Sequence, residues 1–568
     1  MNKPLRNMTT VALLSAVGTL VFAQQAAAAA PKPALTIAFA GYGQLIDGLK
    51  ALDQLNGHTK LAAKAEANIK AQTHGKGLAG LDRSRPWGVL VSLGENDQPV
   101  VQGYLPVTDL KQLVASIPAP GGDAPAANAK GVYEFPAGNK TVYVKQKEKW
   151  AVFSLDEETL DSAPTDPTPA LSDLTKKYLL SVRGSVQNVP AASRQNFLKS
   201  LRGIVEFTLA MQQQSSSEEE RALQAASVKQ IFAKLERFSK ELDSLVIGVG
   251  LDPSSKALFL DFEFRGVNGT ELAKKFDALK DAKTDFAGFA LEGAALTMLS
   301  AGVSDDEDVA DAKAMLANFK ATANKQLDAN DQLGDKRDLA KKLLGDILGV
   351  AEKTVELKKS DGAMAIVLGD TPAIVAGVRI AEGAKLESAL KELVKELAKD
   401  EPKVGEIVKF DAEKYEGVNF HVAKIPLPDP DAAEVLGDPV EIVVGISPTS
   451  LYFGAGKDPL TTIKQAMDGS KASPQKAIDP VDLVISGTPI AKFFAKVIKK
   501  NNPSEAQAKK NFAKAASSLA KSGGKDHITV IAKAIPNGVT MRFSVESGVT
   551  KSILDLLPAG GTEEVEEN

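Results

Sequence analysis

The sequence contains no cysteine, four histidines and two tryptophans among 568 residues, and these scarcities exclude several classes of protein. Without cysteine the chain can form no disulfide, and it has no thiolate that could act as a nucleophile or bind a metal ion. Aromatic residues make up 5% of the chain, which disfavours the exposed aromatic platforms on which sugars stack. Acids and bases are interspersed to a net charge of −4, so we expect no basic face and no nucleic-acid partner.

Long apolar runs are also scarce, and the one that matters lies at the start of the chain. Lys3 and Arg6 precede an apolar stretch of thirteen residues, Val11–Ala23, and small residues follow as far as Ala30. This order is typical of a secretory signal peptide, and the run is shorter than the roughly 20 residues that span a membrane. We predict a signal peptide over residues 1–30 and an exported protein, periplasmic or extracellular, with no transmembrane segment after cleavage.

Internal repetition is the most informative feature that the sequence does contain. Short segments recur in the same order in the two halves, and the offset between them drifts from 261 to 275, about 303 and 281 residues. The matching pairs are Ala34–Ile37 with Ala295–Met298, Val89–Gly94 with Met364–Gly369, Val182–Ser185 with Ile485–Thr488, and Leu258–Phe264 with Val539–Val545. Such drift places insertions in loops and helices, where added length costs little, while strands keep their register.

The repetition predicts two tandem homologous units, over residues 34–285 and 294–558, followed by an acidic, flexible tail over residues 559–568. Alternating apolar and polar residues joined by short turns favour antiparallel strands. The predicted fold class is α+β, with a largely antiparallel sheet packed by helices in each unit.

Local signals locate several helices and the closing hairpin of the first unit. Alternation over Ala257–Phe264 predicts a strand with Asp261 and Glu263 on a solvated outer face. Ser304 and Glu307 form a predicted capping box at the start of a helix. Helices are predicted over residues 61–72, 110–116, 222–242, 306–327 and 386–398.

The reactive side chains form no recognisable catalytic or metal-binding pattern. His58, His74, His421 and His527 show no metal-ligand spacing and no equivalent positions in the two units, so we interpret them as surface or edge residues. A Gly-x-Ser-x-Gly nucleophile motif is absent, and Gly41-Tyr42-Gly43 lacks the rest of a phosphate-binding loop. The sequence therefore predicts no catalytic, metal-binding or cofactor-binding residue, no cofactor and no enzymatic activity.

Three acidic clusters remain as candidates for binding a cation. Asp305–Asp308 and Asp156–Glu158 are typical of the first turn of a helix, where acids face the positive end of the helix dipole. Asp429–Asp431 is predicted to be a loop with two carboxylates, but it lacks the glycine and the bidentate glutamate of a calcium loop. Calcium binding at these clusters stays open.

The amphipathic helix predicted over residues 222–242 raises a different alternative. Its apolar residues fall on one broad face, which we expect to pack on the sheet of its own unit. These apolar residues are Leu223, Val228, Ile231, Phe232, Leu235, Phe238 and Leu242. Helices and a curved sheet can also enclose an apolar groove for a lipid or a partner peptide.

The signal peptide, the repeated strand–helix order and the segments Leu245–Asp252 and Leu258–Phe262 resemble uncharacterised exported bacterial proteins with a duplicated domain of unknown function. The resemblance covers most of the chain after the signal peptide. It implies an exported duplicated scaffold and no particular site residues.

Three functional hypotheses follow from the sequence. The first is an exported, non-enzymatic binding or structural protein of the cell envelope, with an envelope or extracellular partner. The second is a carrier of an apolar ligand or lipid in a groove between helices and sheet. The third is a hydrolase that uses carboxylates such as Asp156 or Asp429 in a cleft between the units.

Overall fold

The computed structural model describes residues 32–56, 59–94, 97–117, 125–212, 218–499 and 502–556. The predicted signal peptide and the acidic tail lie outside these residues. The chain divides into two compact units between Lys274 and Lys275, and the second unit ends at Leu556. Among the described residues, no helix is long and apolar enough to span a membrane.

Among the described residues, unit 1 contains nine strands and seven α-helices, and an eighth α-helix carries the division between the units. Its strands are β1 (Leu35–Phe39), β2 (Trp87–Leu93), β3 (Pro99–Pro106), β4 (Val132–Ala137), β5 (Lys140–Lys147), β6 (Trp150–Ser154), β7 (Leu180–Ser185), β8 (Leu242–Leu251) and β9 (Leu258–Gly266). The helices are α1 (Tyr42–Asn56), α2 (Leu61–Gln72), α3 (Leu110–Ser116), α4 (Glu158–Ser162), α5 (Thr168–Thr175), α6 (Ala191–Gln212), α7 (Glu218–Glu241) and α8 (Glu271–Ala278).

Unit 2 contains the remaining strands and helices of the described chain. Its strands are β10 (Lys283–Thr284), β11 (Leu296–Val303), β12 (Lys359–Val367), β13 (Ala373–Arg379), β14 (Val408–Tyr415), β15 (Val418–Ile425), β16 (Val440–Ile446), β17 (Ser450–Gly456), β18 (Lys476–Ala477), β19 (Val481–Ser486), β20 (His527–Ile535) and β21 (Gly538–Val545). The helices are α9 (Asp306–Ala329), α10 (Arg337–Glu356), α11 (Gly383–Asp400), α12 (Pro402–Ile407), α13 (Pro430–Leu436), α14 (Pro459–Lys471), α15 (Gly487–Val497), α16 (Pro503–Ala520) and α17 (Ser547–Leu556).

Each unit is built on one antiparallel sheet. The strand order in unit 1 is β4-β5-β6-β3-β2-β1-β7-β8-β9. In unit 2 the order is β14-β15-β16-β17-β13-β12-β11-β19-β20-β21, while the two-residue strands β10 and β18 pair with each other. The predicted α+β class with antiparallel sheet is confirmed.

One face of each sheet is closed by short helices and forms a dry core. In unit 1, α4 and α5 contribute Leu160, Leu171 and Leu174, which pack against strand residues such as Tyr104 and Val152. In unit 2 the closed face meets α14 and the segment before β11. The buried residues of that core include Phe286, Phe289, Leu299, Ala365, Val375, Phe420, Val443, Ile463 and Ala466.

The predicted orientation of the closing hairpin in unit 1 is wrong. Asp261 and Glu263 lie on the closed face and are 3% and 7% exposed. Each has a polar partner there, because the Tyr178 hydroxyl donates to Asp261 at 3.1 Å and Arg265 Nε lies 2.6 Å from Glu263. The apolar residues that alternate with these acids therefore face the other way, towards the more exposed side of the sheet.

Helix boundaries were predicted well where a local signal marks them. Helices α2 and α3 begin and end at the predicted residues. At α9 the capping box lies one residue after the predicted pair of Ser304 and Glu307. Asp305 accepts the Asp308 N–H, and Asp308 accepts the Asp305 N–H. In α7 the predicted packed face is partly wrong, because Phe232 is buried but Ile231 is 55% exposed.

We expect the stability of unit 2 to fall when a side chain is added to a glycine of β16 that faces a buried aromatic ring. A Cβ added at Gly445 would overlap the ring of Phe420, which is fully buried. Overpacking of this kind costs about 1–3 kcal/mol, so Gly445→Ala should lower the urea midpoint of unfolding. Gly369→Ala is the matched control, because a Cβ there meets nothing within 4 Å. Equal midpoints for the two variants would contradict this packing.

Candidate functional site

A polar cluster of Glu387, Asp411 and His421 is the one group of metal-ligating side chains that comes together among the described residues. The three side chains come from α11, β14 and β15, and their ligand atoms all lie within 4.8 Å of one another. His421 is 6% exposed, so its prediction as a surface or edge residue is wrong. Its cluster is a candidate metal centre by composition, and its geometry decides whether it can act as one.

A bulge in the β14–β15 pairing sets the orientation of the histidine ring. The register shifts between Lys409 and Glu413, and Asp411 between them has a φ of 49°, in the left-handed region that non-glycine residues rarely adopt. The Asp411 N–H is thereby directed at His421 Nδ1, 3.0 Å away. Nδ1 accepts this hydrogen bond, so in the neutral ring Nε2 carries the proton.

This tautomer does not suit a metal ligand or a general base. Nε2 has no hydrogen-bond partner and lies 3.6 Å from Glu387 Oε1, but its proton occupies the position that a metal ion would need. The only lone pair of the ring is already engaged by the backbone of Asp411. Burial lowers the pKa of His421, although Glu387 and Asp411 act in the opposite direction, and this favours the neutral ring.

A lysine ammonium already supplies the cation of the cluster. Lys391 Nζ lies 2.8 Å from Glu387 and 2.9 Å from Asp411, and Asn419 Nδ2 adds a contact of 3.3 Å to Glu387. The hydrogen bond with Glu387, followed by that with Asp411, raises the pKa of Lys391. The residues therefore fit an ionic contact between α11 and the β14–β15 hairpin, and they do not fit a metal ion in this arrangement.

Each of the acidic clusters predicted from the sequence lies at the start of a helix. Asp305 caps α9, and Lys275 Nζ lies 2.9 Å from Asp305 and 3.0 Å from Asp308. Asp156 accepts the Glu158 N–H ahead of α4. Asp429 caps α13 by accepting the Asp431 N–H, so this cluster begins a helix and is not an open loop as predicted.

The other predicted residues lie apart from the polar cluster. His74 is exposed in the turn after α2, with a φ of 48°, and His527 begins β20, where Nδ1 lies 2.9 Å from Glu546. His58 lies outside the described residues. The sequence analysis missed Glu387, Asp411 and Lys391. Glu387 and Lys391 are four residues apart on α11, but no spacing pattern connects this pair with Asp411 on β14 or with His421 on β15.

A second candidate site is the sheet face opposite the closed core of unit 1, which we call the open face. It is formed by alternate residues of seven adjacent strands, from β6 through β3, β2, β1, β7 and β8 to β9. These residues are Ala151, Phe153, Pro99, Val101, Gly103, Leu105, Trp87, Val89, Val91, Leu93, Leu35, Ile37, Phe39, Leu180, Val182, Gly184, Leu245, Ile247, Val249, Leu251, Leu258, Leu260, Phe262 and Phe264. None of these positions carries a charge.

Unit 2 has an open face of the same kind on the strands from β17 through β13, β12, β11, β19 and β20 to β21. Its residues are Leu451, Phe453, Ala455, Ile374, Ala376, Val378, Gly362, Met364, Ile366, Leu296, Met298, Ser300, Val481, Leu483, Ile485, Ile528, Val530, Ala532, Ala534, Val539, Met541, Phe543 and Val545. One serine is the sole polar side chain among these positions. At about 4.8 Å per strand, seven strands extend roughly 29 Å across.

Helices pack on parts of these open faces and leave other parts accessible. In unit 2, α10 and α11 cover the end near Leu451, and α15, α16 and α17 cover the end near Ile528 and Val545. Between them Ile374 and Phe453 are 43% and 42% exposed. In unit 1, α3 covers Ala151 and Leu105, whereas Leu180, Ile247 and Val249 are 37–41% exposed.

The two tryptophans lie on opposite faces of the sheet in unit 1. Trp150 is 3% exposed within the closed core, edge-to-face with Tyr104. Trp87 lies on the open face and stacks on Phe39 with ring centroids 3.9 Å apart. The pair gives each face of unit 1 its own fluorescent reporter.

Comparison of the chain with protein-family models, with curated proteins and with solved structures gives no match.

We expect His421 to make the stability of the protein depend on pH. Because its folded pKa is lowered from the unfolded value of 6.5, the unfolded chain takes up the proton first, and stability falls as the pH falls through this range. The groups that face the ring are Glu387, Asp411, Lys391 and Phe410.

Denaturant unfolding between pH 7.5 and 5.5 measures this effect. His421→Gln should flatten the decrease in unfolding free energy, whereas His74→Gln, at an exposed histidine, should reproduce the wild-type profile. A decrease of the same slope in the His421→Gln protein would contradict the buried neutral histidine.

Proposed function

We propose that the protein is an exported, non-enzymatic binding protein whose open faces bind an elongated apolar ligand such as a lipid acyl chain. The observation that carries the proposal is the accessible, uncharged character of both open faces. Water-facing positions of an antiparallel sheet are ordinarily polar. On the open faces, by contrast, the strand residues that are 37–43% exposed are aliphatic or aromatic, among them Leu180, Ile247, Ile374 and Phe453. Contiguous exposed apolar surface of this kind marks a binding site.

The chemistry of the open faces favours an apolar ligand over a polar substrate. The central strands pair on both edges, so their backbone groups are already hydrogen-bonded, and the side chains offer almost no donors or acceptors. Binding must then come from burial, which gives about 25 cal/mol for each Å² of apolar surface removed from water. The flexible thioethers of Met298 and Met364 in unit 2 suit ligands of varied shape.

Matching strand orders support the further proposal that the two units arose by duplication. The seven strands of one open face follow the same order as the seven of the other, with β1, β2, β3 and β6 corresponding to β11, β12, β13 and β17. Leu35 pairs with Val91, and Leu296 pairs with Ile366, which reproduces the sequence offsets of 261 and 275.

One of the sequence matches needs an adjustment of two residues under this proposal. Leu35 pairs with Gly184 and Leu296 with Ile485, so the offset in this strand is 301 and not 303. A shift of two residues keeps the same side of the strand facing the same way, which is why the apolar pattern concealed it. The hairpin offset of 281 matches, since Leu245 pairs with Phe264 and Ile528 with Val545.

Export and the absence of catalysis remain parts of the proposal. The basic and apolar pattern of residues 1–30 supports export, and a place in the cell envelope would put the protein next to membrane lipid. Asp156 and Asp429, the acids of the hydrolase hypothesis, each serve a helix start in their own unit. That use favours binding over hydrolysis.

Quenching by a bromine-labelled fatty acid distinguishes the open face of unit 1 from its closed core. Bromine quenches tryptophan at short range, so a Trp150→Phe protein, which keeps Trp87, should lose fluorescence in a saturable titration. A Trp87→Phe protein, which keeps Trp150 in the core, should stay bright. The unlabelled fatty acid is the control for changes in protein conformation.

Equal quenching of the two proteins, or quenching of neither, would contradict ligand binding on the open face of unit 1. A Phe453→Glu variant tests unit 2 separately, with displacement of the fluorophore 1-anilinonaphthalene-8-sulfonate by fatty acid as the measurement. Lys533→Glu on the opposite side of β20 is its control, because Lys533 is exposed and lies off the open face.

A further inference from the structure

Helix α6 carries a row of large apolar side chains that no part of the described chain covers. Phe197, Ile204, Phe207 and Met211 are 66%, 63%, 68% and 67% exposed. Their spacing of seven, three and four residues puts them on one side of the helix, about 21 Å from end to end at 1.5 Å per residue. These side chains are more exposed than the residues of either open face, so they project from the surface instead of lining a groove.

The residues beside this row are polar but uncharged. Ser193, Asn196, Ser200 and Thr208 share the same side of the helix, and the charged residues lie on other sides. Arg202 is turned away, where it pairs with Glu206 at 2.9 Å and lies over the ring of Phe232. Placing the row in an apolar medium would therefore desolvate no charge of α6 itself. The Asp97 carboxylate, from outside the helix, contacts Ser193 one turn before the row begins.

The size of the row argues against a second copy of the chain as its occupant. Four side chains at about two-thirds exposure present on the order of 500 Å² of apolar surface, whereas a stable complex buries about 800 Å² on each partner. A single projecting row with neutral flanks instead suits the boundary between headgroups and acyl chains, which an amphipathic helix enters with one side.

We propose that the apolar row of α6 is a membrane-docking surface, which inserts into the interface of a lipid bilayer. The proposal goes beyond ligand binding, and it rests on the proposed function only for the idea that the bilayer is the source or destination of the ligand. Because no charge takes part, docking should depend little on salt or on anionic lipid.

Flotation with lipid vesicles tests the docking surface in the full-length protein without its signal peptide. The wild type should float with phosphatidylcholine vesicles, to the same extent when phosphatidylglycerol is added and when salt is raised. A variant with Phe197→Ser, Ile204→Ser, Phe207→Ser and Met211→Ser should lose most of this binding. Its fold should persist, since the replaced side chains are mostly in water, and circular dichroism checks this.

A matched variant on another helix shows whether vesicle binding depends on α6 or on any exposed apolar side chains. Met315→Ser with Phe319→Ser on α9 removes side chains that are 73% and 58% exposed, and it should float like the wild type. Flotation of the α6 variant at the wild-type level, failure of the wild type to float, or equal loss in the α9 variant would overturn the assignment. So would a wild-type dimer in light scattering that the α6 variant converts to a monomer. Retained fatty-acid quenching of Trp87 alongside failed flotation would reject docking and leave ligand binding intact.

Discussion

In each unit, helices pack on one face of the sheet to form the core, and the other face is uncharged over seven strands and only partly covered by helices. An antiparallel sheet with one packed face ordinarily places polar residues on the second. Here the second face keeps isoleucine, valine, methionine and phenylalanine at positions that are about two-fifths exposed. Leaving such surface in water works against stability, and the proposed apolar ligand would cover it.

The positions of the charged side chains agree with the uncharged open faces. Asp261 and Glu263 are buried on the closed face, where tyrosine and arginine satisfy them, while the open face of unit 1 has no charge. In unit 2 the polar cluster of His421, Glu387 and Asp411 lies at the far end of the sheet, and Lys391 bridges its two carboxylates. The charged side chains of both groups are thus paired away from the open faces, which carry uncharged residues.

The sequence predicted the local elements better than the side of the sheet that each residue faces. Helix α3 begins after a capping residue, Asp109, which accepts the Gln112 N–H, whereas α2 was located without a side-chain cap at Lys60. Alternation in Ala257–Phe264 could not show which set of side chains is buried, because a strand of either orientation has the same pattern. One signal was present in β8, where every residue from Leu245 to Leu251 is apolar or glycine, so both sides of this strand are apolar and not one alone. The polar cluster depends on a bulge and on three separate elements, and no short-range pattern encodes it.

Native mass spectrometry of the protein, purified from its own envelope without detergent, tests the central claim most directly. If the open faces hold an apolar ligand, the protein should carry additional mass that solvent denaturation releases as a lipid or another apolar molecule. Replacing Ile374 and Phe453 by glutamate should reduce the fraction of protein that carries it. A wild-type protein of bare polypeptide mass, with no apolar molecule in the denatured extract, would contradict the account.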